Sequence, residues 1–161
     1  MTQEIEVRIL DKKNKEDIKK ALEAGISLEY KINTDRTRLI ALQGNTIIGY
    51  AYVDLAFDAH LPYTIDIKVS NEIKDVDEIL NTYKRIAPLL IELAEKIVVE
   101  KDCPLLLAIE YYVSDIKEQP IFTNGLIQKI FNDAGYQLEP SKELPETLYM
   151  VKDLKSQECQ P

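Results

Sequence analysis

Arg38-Leu39-Ile40-Ala41-Leu42-Gln43-Gly44-Asn45-Thr46-Ile47-Ile48-Gly49-Tyr50-Ala51 is the stretch that decides the fold. Residues 38–42 read as one strand and residues 46–55 as a second, the latter rich in β-branched residues and tyrosine. Gln43-Gly44-Asn45 between them is a tight turn, because Gly and Asn tolerate positive φ. The pair is therefore an antiparallel hairpin. Gly49 stands inside a run that otherwise favours bulky residues, which predicts a position where a side chain would meet a neighbouring element.

Downstream, the dipeptide Leu61-Pro62 breaks the pattern, and Tyr63–Val69 alternates as a third strand. Thr64, Asp66 and Lys68 share one face; Ile65, Ile67 and Val69 share the other. Ile79, Tyr83, Ile86, Leu90, Leu93 and Ile97 then recur at helical spacing. Pro88 falls within that pattern, so the segment is either two helices joined near residues 84–87 or one kinked helix. Pro104 ends it, and residues 105–112 form an apolar strand. Leu126, Ile127, Ile130, Phe131 and Ala134 mark a last helix closed by Gly135, and residues 148–154 a closing strand, with room for an extra strand after Tyr136.

Upstream, residues 5–10 alternate as a first strand. Asn14 caps a helix with Asp17 in its first turn and Ile18, Ala21 and Leu22 as its buried stripe, and Gly25 fits the left-handed position after it. Residues 26–36 fit a short helix or a loop. The fold class is α/β (α+β mixed): a mixed, largely antiparallel sheet with helices on both faces. The long helix makes a right-handed crossover between two parallel strands, Tyr63–Val69 and residues 105–112.

The chain has 161 residues, 45% hydrophobic and 30% charged, the balance of one globular domain over residues 1–155 with a polar tail at 156–161. A net charge of -8 argues against nucleic acid as a partner, since phosphate-binding surfaces need a Lys/Arg excess. No apolar run approaches a membrane span, and the polar start Met1-Thr2-Gln3-Glu4 is unlike a signal peptide, so a cytoplasmic protein is expected. One histidine, His60, and two cysteines, Cys103 and Cys159, leave no metal cluster of either type and read as reduced bystanders.

Three segments in this order resemble the GNAT (N-acetyltransferase) superfamily. The hairpin quoted first is similar to that family's central hairpin. Phe131-Asn132-Asp133-Ala134-Gly135-Tyr136 resembles the end of its last helix, and Leu148-Tyr149-Met150-Val151-Lys152-Asp153-Leu154 its closing strand. The resemblance spans residues 5–154. It implies a sheet in which the parallel pair splays, acetyl-CoA as cofactor, and transfer of an acetyl group to the amine of a small molecule or peptide. It also implies that backbone groups near Ile67 and Val69 hold the acetyl arm. A homodimer is compatible with this.

The family's pyrophosphate motif, Gln/Arg-x-x-Gly-x-Gly/Ala, lies at the start of the helix after the fourth strand. Small residues there let helix N-terminal amides approach the phosphates. Its best match is Thr82-Tyr83-Lys84-Arg85-Ile86-Ala87. Ala87 fits the last position and Pro88 a first helical residue, but Arg85 replaces the glycine and Thr82 the Gln or Arg. Lys84 and Arg85 are then expected to bind phosphate by charge, beside Ile86 and Ala87. Residues 71–80 form an insertion carrying Asp75, Asp77 and Glu78, which would disfavour a pyrophosphate placed near them. The resemblance assigns Asn124 to CoA contact, although an asparagine there also fits a helix cap. Phe131 occupies the place of the family's tyrosine acid and carries no proton to give.

Other residue types suit proton transfer. Glu110 lies in an apolar strand, where burial would raise its pKa. Asp66 on the neighbouring strand is a second carboxylate, and Tyr111 a donor to a thiolate. His60, alone in a loop, reads as solvent-exposed. Two readings follow: an acyl-CoA-dependent N-acyltransferase, or a GNAT-fold ligand-binding or interaction module that has lost catalysis.

Overall fold

The computed structural model describes residues 4–29, 34–56, 63–101, 107–112, 124–140 and 147–152. Seven strands form one sheet: β1 (Ile5–Ile9), β2 (Thr34–Gln43), β3 (Thr46–Ala56), β4 (Tyr63–Val69), β5 (Leu107–Tyr112), β6 (Gln137–Pro140) and β7 (Thr147–Lys152). Their order across the sheet is β1-β2-β3-β4-β5-β7-β6. Three helices complete the chain: α1 (Lys15–Ala24), α2 (Val76–Lys101) and α3 (Asn124–Asp133). Every strand contact is antiparallel except that between β4 and β5, which α2 connects. The extra strand after Tyr136 is β6.

The β2–β3 hairpin turns at residues 44 and 45, and its register shifts between Ala41/Leu42. Ala41 faces Gly49 while Leu42 faces Ile47, so Ile48 is the extra residue of a bulge. The bulge brings Gly49 under α2. A Cβ at Gly49 would collide with Ile86 Cδ1 and come within 3.0 Å of the Lys68 carbonyl oxygen. The close approach expected of this glycine is what the structure shows.

Two apolar layers flank the sheet. Leu39, Ala51, Val53, Ile65 and Ile67 pack with Tyr83, Ile86, Leu90, Ala94 and Val98 of α2 and with Phe131 of α3. On the opposite face Ile40, Leu42, Ile47, Tyr50 and Tyr52 pack with Ala21, Ala24 and Ile26 in and after α1. Helices therefore cover both faces. α2 runs its 26 residues with Pro88 inside it, on its exposed side. Of the two readings left open at Pro88, a single helix is the one formed: the ring displaces no core contact there, and water can serve the carbonyl that loses its amide partner.

In α1 the Asn14 side chain accepts hydrogen bonds from the Glu16 and Asp17 amides, at 3.0 and 3.2 Å. Gly25 follows at φ 100 and closes the helix with bonds to Ala21 and Leu22. The buried stripe is corrected in one respect. Leu22 is 57% exposed, and Asp17 and Ala24 join the expected Ala21 in the buried stripe, at the i, i+4, i+7 spacing of one face. Asp17 tolerates burial because Arg8 of β1 donates to both its oxygens, at 2.7 and 2.9 Å. Residues 26–29 are non-helical and residues 34–36 belong to β2.

The hydrogen bonds from Arg8 hold the Asp17 carboxyl below the usual carboxylate range, against its partial burial. A depressed folded-state pKa contributes stability above the unfolded value of about 3.9, and that stability is lost as pH falls through the folded value. Asp17→Asn is therefore expected to cost about 2 kcal/mol in urea unfolding at neutral pH. The difference should close in acid, as pH falls through the depressed Asp17 value. A constant difference across that range would contradict this account.

Candidate functional site

On the α1 face, three cross-strand rows carry the sheet's polar chemistry. Strand register sets Ile40, Tyr50 and Lys68 in one row, Arg38, Tyr52 and Asp66 in the next, and Arg36, Asp54 and Thr64 in the third. The buried Arg38 donates through Nε to the Ser27 carbonyl at 2.6 Å and through Nη2 to the Glu29 carbonyl at 2.7 Å. The Ser27 amide donates to the Tyr52 hydroxyl at 2.7 Å. These three bonds lay residues 26–29 over the sheet beside the Asp66 row. Arg36 clamps the buried Asp54 with two bonds, at 2.7 and 3.0 Å, and stacks 4.2 Å above the Tyr52 ring. Tyr50, edge-on to Tyr52 at 5.6 Å, has its hydroxyl pushed up to about 12 by burial.

Asp66 is the carboxylate of the middle row. Loss of hydration raises its pKa, Lys68 and Arg36 oppose the rise, and Asp54 adds to it. Its side chain is 55% exposed, so the desolvation is partial and the carboxyl stays open to an incoming ligand; Lys68 Nζ lies 3.7 Å away. Arg36, Arg38 and Asp54 had no place in the sequence-based site. Their signal was present in the alternation of Arg36 and Arg38 along one strand and in a carboxylate at the end of a β-branched run.

β4 and β5 pair only at Tyr63–Leu107 and Thr64–Ala108. Both strands continue, β4 to Val69 and β5 to Tyr112, yet no further pair between them forms among the described residues. The same offset sets Glu110 level with Asp66 and Tyr111 level with Ile67. On its other side β4 is fully engaged, since Asp66 pairs with Tyr52, Ile67 with Ala51 and Val69 with Gly49. Ile67 is buried and Val69 half-buried, so their backbone edges toward β5 are what they can offer a ligand. Glu110 and Tyr111 occupy β5 positions opposite Tyr149 and Leu148 of β7; their side chains lie outside the described residues, as do His60, Cys103, Cys159 and the 156–161 tail.

Several expected cofactor contacts fall elsewhere. The loop-to-helix junction is at residues 70–76, not at residues 82–87. Lys84 and Arg85 are exposed on the middle of α2, about 12 Å along its axis from Val76. Ile86 and Ala87 are buried in the core, and their amides lie inside the helix, where carbonyls four residues back take them. Residues 82–87 thus lie within α2, and helical spacing and loop spacing look alike once the glycine is missing. Phe131 is 0% exposed, with its ring edge-on to Tyr136 at 5.2 Å, so it presents no surface to a bound molecule. Asn124 is the first residue of α3.

Beyond Phe131, the Tyr136 hydroxyl donates to Glu95 Oε1 at 3.1 Å. Lys152 Nζ donates to the same oxygen and to the Ala134 carbonyl, each at 3.0 Å. This cluster fastens α2, the end of α3 and β7 together.

Among the described residues, no helix is long and apolar enough to cross a membrane. No protein-family model matches the sequence, and no curated protein matches it. Solved structures do match. The Campylobacter jejuni N-acetyltransferase PseH, in complex with acetyl coenzyme A, is 10% identical over 93% of this chain and 99% of its own, with a TM-score of 0.55. An acetyltransferase of the GNAT family from Streptococcus pneumoniae is 12% identical over 93% and 99%, with a TM-score of 0.56. Mutant forms of the spermidine/spermine N-acetyltransferase SpeG from Vibrio cholerae are 12% identical over 97% and 98%, with a TM-score of 0.57. The chain has the GNAT N-acetyltransferase fold.

Proposed function

We propose that the chain is an N-acyltransferase of the GNAT class that moves an acetyl group from a thioester, acetyl-CoA in the family, to the amine of a small molecule or peptide. The observation that carries this reading is the ladder that ends at Thr64–Ala108 while β4 runs on beside Asp66. An extended backbone edge without a strand partner holds an extended amide chain as a further strand would. The pantetheine half of acetyl-CoA has that form, and residues 65–69 fit it. The nucleotide diphosphate does not fit the start of α2, where carboxylates stand.

The thioester supplies an activated carbonyl. The chain's own part is positioning and proton transfer. Asp66, at the level where pairing has stopped, takes the proton that the amine gives up as its nitrogen bonds to the acetyl carbon and the C–S bond breaks. Arg36 holds Asp54 in place beside it, and Arg38 with Tyr52 holds residues 26–29 as a rim. Phe131 donates nothing, so the departing sulfur takes its proton from solvent or from Tyr111. The second reading, a ligand-binding or interaction module without catalysis, is favoured by Phe131 and by the acidic start of α2.

A panel of amines, from polyamines and amino sugars to peptide N-termini, assayed for thiol release from acetyl-CoA tests the proposal. Turnover of at least one amine above the uncatalysed rate is expected, with a rise in melting temperature when the donor is added. Binding without turnover would favour the module reading. Neither binding nor turnover would remove the transferase reading.

A further inference from the structure

The start of α2 is lined by the chain's own carboxylates. Its capping residue is Asp75, whose Oδ2 accepts from the Glu78 amide at 3.0 Å while its carbonyl accepts from the Ile79 amide at 2.9 Å. Asp77 and Glu78 stand in the first turn, all three carboxylates exposed. The positive end of the helix dipole is thus met by the chain's own anions. The amides leading to it are engaged as well. Ser70 donates to the Ile48 carbonyl at 3.0 Å, Asn71 to the Ala24 carbonyl at 2.9 Å and Ile73 to the Ser70 carbonyl at 3.1 Å. The Glu72 amide donates to the buried Ser70 hydroxyl at 3.2 Å. Residues 72–78 hold four carboxylates, Glu72, Asp75, Asp77 and Glu78, against the single ammonium of Lys74. A phosphate group placed here would meet an anionic field. The nearest Lys-Arg pair, Lys84 and Arg85, is about two turns further along the helix.

Building on the transferase reading, we infer that the chain recognises its donor as an acyl-pantetheine thioester, through the edge of β4, and gains nothing from the nucleotide diphosphate of CoA. The acidic start of α2 acts as a specificity element that repels the phosphorylated end.

S-acetyl-pantetheine and acetyl-CoA, compared as donors and by calorimetry at low salt, test this, alongside the charge-neutral variant Asp75→Asn/Asp77→Asn/Glu78→Gln. Asn keeps the cap, so the helix start is preserved. In the parent, kcat/KM and Kd for the two donors are expected to agree within about threefold. In the variant, acetyl-CoA should bind about tenfold tighter, most clearly at low salt, with acetyl-pantetheine unchanged. A parent that binds acetyl-CoA about tenfold or more tighter than acetyl-pantetheine overturns the inference, whatever the turnover. A parent that binds neither donor removes the transferase reading. In that case a variant that gains acetyl-CoA binding still supports the repulsion, and one that gains none overturns it.

Discussion

Gly49→Val is expected to destabilise the fold by about 3 kcal/mol, a fall of about 6–12 °C in Tm for a chain of this size. The sign is not obvious from strand preference. Valine is favoured over glycine in a strand by up to about 1 kcal/mol, so an open position would gain from the change. Here the new Cβ collides with Ile86 Cδ1 and meets the Lys68 carbonyl oxygen at 3.0 Å, and Gly49 is buried. Ile86 is itself fully buried between sheet and helix, with little room to turn aside. Overpacking of this kind costs about 1–3 kcal/mol, and the backbone oxygen cannot move without pulling β4 from β3. A double-mutant cycle separates collision from preference. Ile86→Val removes the colliding methyl, so Gly49→Ala with Ile86→Val should lose less than the sum of the two single changes. Additive losses, or a Gly49→Val protein as stable as the parent, would show that α2 does not lie where Gly49 requires it.

The hairpin was legible because its signals are local. A Gly-Asn turn between β-branched runs specifies an antiparallel pair, and a lone glycine in such a run marks close approach. The caps of α1 at Asn14 and Gly25 were legible for the same reason. Leu22 was misplaced because the helix buries a carboxylate, Asp17, which hydrophobic periodicity counts as a surface residue; only the partner, Arg8, nine residues earlier on β1, makes that burial tolerable. The run through Pro88 was undecidable from sequence, since the cost of an internal proline depends on whether it faces core or water. The start of α2 was misread by phase. Asp75, Asp77 and Glu78 were legible as anions unfavourable to a pyrophosphate, while the motif itself was matched at residues 82–87, which lie within the helix. The Asp66 row was half legible. Alternation put Asp66 and Lys68 on one face, while Arg38 and Tyr52, the row partners of Asp66, come from two other strands and are joined only by register.

Asp66→Asn is expected to lower kcat/KM for acetyl transfer by about 10²–10⁴, the typical worth of a positioned base, and to leave stability within about 0.5 kcal/mol of the parent. The two halves belong together. Asp66 is 55% exposed, and its ion pair with Lys68, at 3.7 Å, is a surface pair, a type that contributes little. A structural role would therefore move neither quantity much, and a catalytic role moves only the first. The pH profile gives the sharper reading. The folded-state pKa is raised, chiefly by desolvation, so the carboxyl holds its proton to higher pH than an ordinary aspartate and accepts one only above that point. The rate should rise with pH through the Asp66 value and continue to rise while the acceptor amine loses its own proton. Asp66→Asn removes the lower limb and keeps the upper one. Asp66→Glu, which keeps the carboxylate on a longer arm, should restore part of the rate and shift the limb. A variant that keeps the parent's rate and profile would pass the proton to another group. Glu110, which the β4–β5 register continued from Thr64–Ala108 would set level with Asp66, is then the position to change, and the same two-limbed profile decides whether it is the base.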